Sequence, residues 1–399
     1  MGSLICDERD QKFVMYEMLR IEELFRTERF SGYSRDMCDM VQDGARKLAE
    51  EIVFPVKVTA LYGHSLNGSL LFDGAPYVWK EPRLTATVPL TLTAEQPSAT
   101  VQLPIEPPKP GTDNDGRLTF GGAGSLPGQF FAPVDVEADA EGNLYVIDSA
   151  TKRLQKFDPG GNFLASVDIR LESTNVNEQS QPWGLAVAPT GQVVVADTFG
   201  WRIRVFDRDL KSLATFGTAP DTTKPAGPFD LFGPRDAAID RDGNIWVTDT
   251  GNDRIQVFTL AGEFVRTVGS SGKGEGQFDE PVGIDIAKDG TVYVADMYNR
   301  RVQVLNADGT FRSQFTVDGW GGQEVNDKPY INVLTDSRIA VSLPGQNAVR
   351  VYSSSGGQSV SVVAGAEPLS RPYGIVQSAD AKLWIVEGGS ARVRQFPIP

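Results

Sequence analysis

The sequence predicts a mainly β chain built around a six-bladed propeller, and three observations predict it. Six segments between residues 117 and 399 share one layout, and each opens on a proline, at 133, 182, 234, 281, 329 or 372. Each segment reads as an apolar strand, an Asp/Gly turn, a strand ending in Asp, a polar turn, a strand opening on Arg, and a further run such as GEFVRTVG (262–269). Four short strands repeated at this spacing are the mark of a propeller blade. The third observation is closure. The sixth unit ends at RQFPIP with no fourth strand, and RLTFGGAG (117–124), just before the first unit, supplies one. A strand at 117–121 is therefore expected to complete the last blade and leave no open edge.

In sequence order, the first element is helical. Val14, Met18, Ile21 and Phe25 recur at helical spacing, as do Met37, Val41, Leu48 and Ile52. They predict an amphipathic helical hairpin over residues 1–55, with Gly32 between the helices, Ser34 as an N-cap and Pro55 as the stop. The stretches DERDQKFVMYEMLRIEELF and DMVQDGARKLAEEI resemble the N-terminal helical start of acyl-CoA dehydrogenases. That resemblance covers residues 7–54 only and includes none of that family's flavin-binding or catalytic residues. It implies a helical packing module and no dehydrogenase activity.

Residues 56–103 contain VKVTALY, SLLF, LTATVPLTLT and SATVQLP, runs rich in Thr, Val and Leu and broken by Gly, Pro and Asn. They read as a segment of short strands. A Pro-rich, then Gly/Asp-rich linker follows at 104–116, and the propeller occupies 117–399. Within it the turns E-G-N, D-G-N and D-G-T are tight hairpin signals.

The repeats closely resemble NHL repeats, whose pattern PVGIDIAKDGTVYVADMYNRRVQVL (281–305) follows almost throughout. That resemblance covers about 280 residues. It implies a six-bladed propeller that serves as a binding platform for proteins, RNA or glycans, as most members do. A minority of related propellers are enzymes.

Composition narrows the function. The chain has 399 residues, 40% of them hydrophobic, with 41 glycines and 25 prolines, which favours a turn-rich β fold with a real core. A formal net charge of −14 disfavours a general nucleic-acid binder. Cys6 and Cys38 are the only cysteines and His64 the only histidine. No disulfide framework, Cys-based zinc site or His-ligated metal centre can be assembled from one copy. The start MGSLICDERDQKF lacks the basic-then-apolar pattern of a signal peptide, and no apolar run is long enough to span a membrane. The protein is expected to be soluble, with its compartment left open. GGAG (121–124) and SSGKGEGQ (270–277) link strand to strand, so no phosphate cradle is expected.

An Asp/Arg pair recurs at one spacing: Asp148/Arg153, Asp197/Arg202, Asp249/Arg254 and Asp296/Arg301. Unit six has Glu387 and Arg392, and unit five has Ser342 and Ala348. A catalytic residue is needed once, so a pair repeated around a ring reads as a blade fastener.

Residues that break the repeat carry more. Directly after the anchoring prolines stand Val134, Trp183, Arg235, Val282, Tyr330 and Tyr373, where each innermost strand starts. The adjacent turns add Phe199, Trp201, Tyr298, Arg300 and Arg371. This mouth, rich in aromatics and arginine, is the expected ligand-binding site, with inter-blade packing as the alternative use of the same side chains. One position further, Gly184, Gly283 and Gly374 alternate with Asp135 and Asp236. With Asp285 and Asn332 these are the oxygen ligands available for a channel Ca²⁺. Long loops before blades two, three and five (167–181, 218–232, 316–328) should gather on the same face.

The expected function is a non-catalytic scaffold binding a protein, peptide or glycan. The rival is a propeller hydrolase or lyase, lactonase-like, with a divalent cation near Asp135, Asp236 and Asp285.

Overall fold

The structure is a computed structural model. It describes residues 106–169, 180–221, 223–320, 328–357, 359–362 and 365–399, together with four short strands further upstream. The expected helical hairpin over 1–55, and with it the stretch resembling acyl-CoA dehydrogenases, lies outside the described residues. The protein divides into two compact units, residues 1–103 and 104–399. In the first, Leu71–Phe72 pairs with Ala75–Pro76 and Val88–Leu90 with Ala99–Val101, both antiparallel.

The second unit is a six-bladed propeller. Blade one is Pro133–Ala138, Leu144–Asp148, Arg153–Phe157 and Phe163–Asp168. Blade two is Pro182–Val187, Val193–Asp197, Arg202–Phe206 and Ser212–Phe216. Blade three is Pro234–Ile239, Asn244–Asp249, Arg254–Thr259 and Phe264–Val268. Blade four is Pro281–Ile286, Val292–Asp296, Arg301–Leu305 and Phe311–Thr316. Blade five is shorter, with Ile331–Val333, Ile339–Leu343, Ala348–Tyr352 and Val360–Ser361. Blade six is Pro372–Gln377, Lys382–Glu387 and Arg392–Pro397, completed by Leu118–Gly121. Each first strand touches the first strand of the next blade, so six of them line the axis.

Burial explains why the strands read as they do. Each of six apolar clusters lies between two neighbouring blades, so every blade is covered on both faces. Second strands such as LYVID and VVVAD are buried at every position and read as continuous apolar runs. Fourth strands, at the rim, alternate instead, as FLASVD does. The first hairpins close as their turn residues demand. Gly142, Gly243 and Gly290 take positive φ, and Asp139 and Asp240 accept backbone N–H groups from within their own turns.

Closure follows the expected strand. Phe120 pairs with Val393 and packs edge-on to Trp384, with ring centroids 5.6 Å apart. The join extends one strand further than expected. Gly111–Thr112, in the stretch read as linker, folds back on Leu118–Thr119. The turn between them places Asp113 3.2 Å from Arg394, and both side chains are fully buried. Arg394 also reaches Glu387 at 3.0 Å.

Candidate functional site

Two polar assemblies sit at one end of the propeller, where first strands begin and second strands end. The outer one is the Asp/Arg corner. In blade three, Asp249 accepts from Phe232 N, Asn252 Nδ2, Arg254 Nε at 2.8 Å and Gln256 Nε2. Arg254 also donates to the carbonyls of Ala226, Gly227 and Asp230, in the loop entering the blade. Blade four repeats this: Asp296 takes Asp279 N, Asn299 Nδ2, Arg301 Nε at 2.7 Å and Gln303 Nε2. Arg301 holds the carbonyls of Lys273, Gly274 and Gln277.

Blade six pairs Glu387 with Arg392 Nε at 2.7 Å. In blade one Asp148 spends its oxygens on the backbone N–H groups of Phe131 and Ala132, while Arg153 holds Ser125, Leu126 and Gln129 carbonyls. Asp197 accepts from Ser180 Oγ and Gln181 N. The corner is a clasp joining blade to entry loop in every blade but the fifth, as its repetition implies. In blade five Ser342 Oγ instead accepts from Tyr330 N.

The inner assembly lies on the axis. In blades one to four and six the ladder shifts register just after the proline, and this irregularity re-aims the residues that follow. Trp183, Arg235, Tyr330 and Tyr373, expected together at the mouth, do meet there. The Arg235 guanidinium stacks 3.7 Å from the Trp183 ring centroid. Tyr373 meets Trp183 edge to face at 6.4 Å. The Tyr330 hydroxyl, from blade five, donates to the Trp183 carbonyl of opposite blade two at 2.6 Å. All four residues are buried, Arg235 to 4% exposure. They plug the axis rather than line an open funnel.

The remaining expected residues spread over the rim. Phe199 is exposed, Arg300 is exposed, and Trp201 and Tyr298 are half-buried. Lys328 sits 4.8 Å over the Tyr298 ring and donates to Glu280 at 2.5 Å. Trp201 and Arg300 hold left-handed backbone, φ 52° and 54°, at the position preceding the third strand. Lys152, Asp253, Asn347 and Ala391 do so at the same point of the other blades, so the turn demands it everywhere. Asp and Asn suit that conformation; Trp does not.

Deeper along the axis lie the carboxyls considered as cation ligands. Each stitches one blade to another. Asp236 accepts from Ile284 N of blade four at 3.0 Å. Asp285 accepts from Val333 N of blade five at 2.6 Å, and Asn332 Oδ1 from Gln377 N of blade six at 3.0 Å. Gly184 and Gly374 are required here, because a Cβ would strike the Arg235 carbonyl and the Asp135 carboxyl. Burial, with smaller help from neighbouring carboxyls, raises Asp236 to about 8; burial raises Asp285 to about 6. Asp135 and Glu137 are pushed up by the same cause. Among the described residues no group of three His, Cys, Asp or Glu side chains is placed to hold a metal ion.

Sequence reasoning missed Phe131 and Phe232, exposed at 57% and 45% on the mouth side. Their signal was available: both stand two residues before an anchoring proline, where other blades carry Ser or Asp.

Comparison with known proteins agrees with the ring. The NHL repeat model matches residues 180–206, 233–258 and 278–305, which open blades two, three and four. This protein contains NHL repeats. It is 33% identical to the human E3 ubiquitin-protein ligase NHLRC1 over 105 residues, 26% of its own length and 24% of that ligase. The rat ligase matches equally, at 33% over 106 residues. Among solved structures, the gluconolactonase XC5397 from Xanthomonas campestris aligns with a TM-score of 0.50 at 17% identity, covering 73% of this protein and 95% of that one. The virginiamycin B lyase from Staphylococcus aureus aligns at 0.48 and 16%, covering 72% and 87%. At such identities the likeness of this NHL-repeat protein to the two enzymes concerns the fold alone.

Proposed function

We propose that the propeller is a non-catalytic binding platform whose loop-rich face takes a protein or peptide. One observation carries this: three large apolar side chains, Phe131, Phe199 and Phe232, stand exposed on the same end of neighbouring blades one, two and three. They flank the sector holding Trp183 and Arg235. Exposed aromatics clustered beside an arginine are what partner recognition uses, whereas scattered apolar exposure is ordinary. Trp201, Tyr298 and Arg300 extend the same rim. A glycan is the weaker ligand, because Trp183, Tyr330 and Tyr373 are buried and offer no open ring for a sugar to stack on.

The rival reading places a hydrolase or lyase centre, with Ca²⁺, at Asp135, Asp236 and Asp285. Two of those carboxyls are already bonded across blades to the N–H groups of Ile284 and Val333. The test of the platform is peptide selection on the immobilised protein and on a Phe131→Ser, Phe199→Ser, Phe232→Ser triple variant. Peptides enriched on the parent and lost on the variant are expected. Selection that ignores the triple change would overturn the assignment of this face.

A further inference from the structure

The fold satisfies nearly every buried polar group, so those left over are informative. Among the described residues, Ser149 Oγ, Gln256 Oε1, Arg266 Nε and Arg394 Nε each lack a partner singly. Three further atoms belong to a single stacked pair: Arg235 Nε, Arg235 Nη2 and Trp183 Nε1. The indole and guanidinium are stacked, so all three unused N–H groups belong to one buried pair, at one point of the channel mouth.

The chemistry of that point can be read from the arginine. Nε and Nη2 lie on the same edge of the planar guanidinium, and their N–H bonds run side by side. That edge matches the two oxygens of a carboxylate. The propeller itself shows the preference: Arg254, Arg301 and Arg392 each turn Nε to a carboxylate at 2.7–2.8 Å. Arg235 alone among these has no such acceptor. Its nearest acids are committed elsewhere, Asp236 to the N–H groups of Ala237 and Ile284, and Glu280 to Lys328. A buried guanidinium whose Nε and Nη2 find no acceptor is costly to keep.

We infer that Arg235, with Trp183, receives a carboxylate carried by the bound peptide. Trp183, Tyr330 and Tyr373 are buried beside Arg235, so the group enters only where these rings part, and it comes on an acidic residue or on the peptide's free C-terminus. This rests on the platform reading and names what that platform recognises.

Two experiments test it on the full-length protein. Arg235→Met removes a buried charge that no carboxylate pairs with while a Met side chain keeps the packing on Trp183, so the melting temperature should rise, by about 2–5 °C. A fall of that size would show that Arg235 is structural and overturn the inference. The second experiment measures retention of three random octapeptide pools: acid-containing with an amidated C-terminus, acid-free with a free C-terminus, and acid-free with an amide. One of the first two should be retained ~10–100-fold better than the third. Which one it is names the source of the carboxylate. Arg235→Met should erase that margin, and Arg235→Lys should keep only part of it, because an ammonium cannot match both oxygens. Equal retention of all three pools overturns the carboxylate while leaving the platform standing. If the unaltered protein retains none of them, the platform falls as well.

Discussion

Blade three holds two arginines close together, and they are opposites. Arg254 opens the third strand and makes four hydrogen bonds, one to Asp249 and three to loop carbonyls. Arg235 opens the first strand, is more deeply buried, and has two nitrogens with no acceptor. Pro234 pairs with Asp249 in the sheet, so the two sites share a single corner of one blade. The difference separates scaffold from function without any catalytic signature. At this corner the arginine that repeats from blade to blade is consumed by the fold, and the one that breaks the repeat keeps donors to spare.

The largest effect should come from breaking the consumed side. Asp296→Ala orphans Arg301 Nε and the Asp279 N–H beside a fully buried position, and strips one of two acceptors from Asn299 Nδ2 and Gln303 Nε2. It should cost about 3–5 kcal/mol of unfolding free energy in denaturant titrations. A loss under about 1 kcal/mol would mean that the clasp is decorative.

Of similar size at its upper bound is a pH effect from the axis. Asp236 and Asp285 titrate near 8 and 6 when folded, against an ordinary 3.8. The folded protein therefore holds protons that the unfolded one has released. Their contribution to stability is full below pH ~4 and is lost as pH rises towards 8, at up to about 1.4 kcal/mol per unit per group. Melting followed from pH 5 to 8 should show this fall, and Asp236→Asn should flatten it. A melting temperature that climbs over this range would contradict the raised values.

A smaller change tests the rim. Trp201 occupies left-handed backbone that Asp253 and Asn347 hold more comfortably. Trp201→Asn should stabilise by about 1 kcal/mol, seen as a higher melting temperature, while weakening peptide retention. The smallest effect belongs to Phe131→Ser, exposed enough that stability should change by less than about 0.5 kcal/mol while binding suffers.

The propeller was legible because its signals are local and recur. Six prolines, hairpin turns and Asp/Arg corners repeat, and LTFGGAGSLPGQF so resembles a blade-to-blade junction that the closing strand could be named. The site was legible only in part. That Trp183, Arg235, Tyr330 and Tyr373 converge follows from their shared position after each proline. That they plug the axis depends on Tyr330 reaching the opposite blade, a contact across 147 residues with no local trace. The stitching by Asp236 and Asp285 was hidden for the same reason, since each acceptor's partner lies one blade away. Phe131 and Phe232 lie in the entry loops, ahead of the proline that anchors each repeat, so the strand pattern itself does not register them.

The closing strand has a consequence for how the molecule comes to be folded. Thr119 donates to the Val393 carbonyl 274 residues away, and Asp113 meets Arg394 across 281. On the ribosome, Leu118–Gly121 emerges early and waits for nearly the whole propeller before its partner strand exists. Phe120 and the edge it will cover stay uncovered for that interval, a period of aggregation risk set by translation rather than by stability. A polypeptide stopped between Glu387 and Arg392 would leave both ends of the ring unpaired.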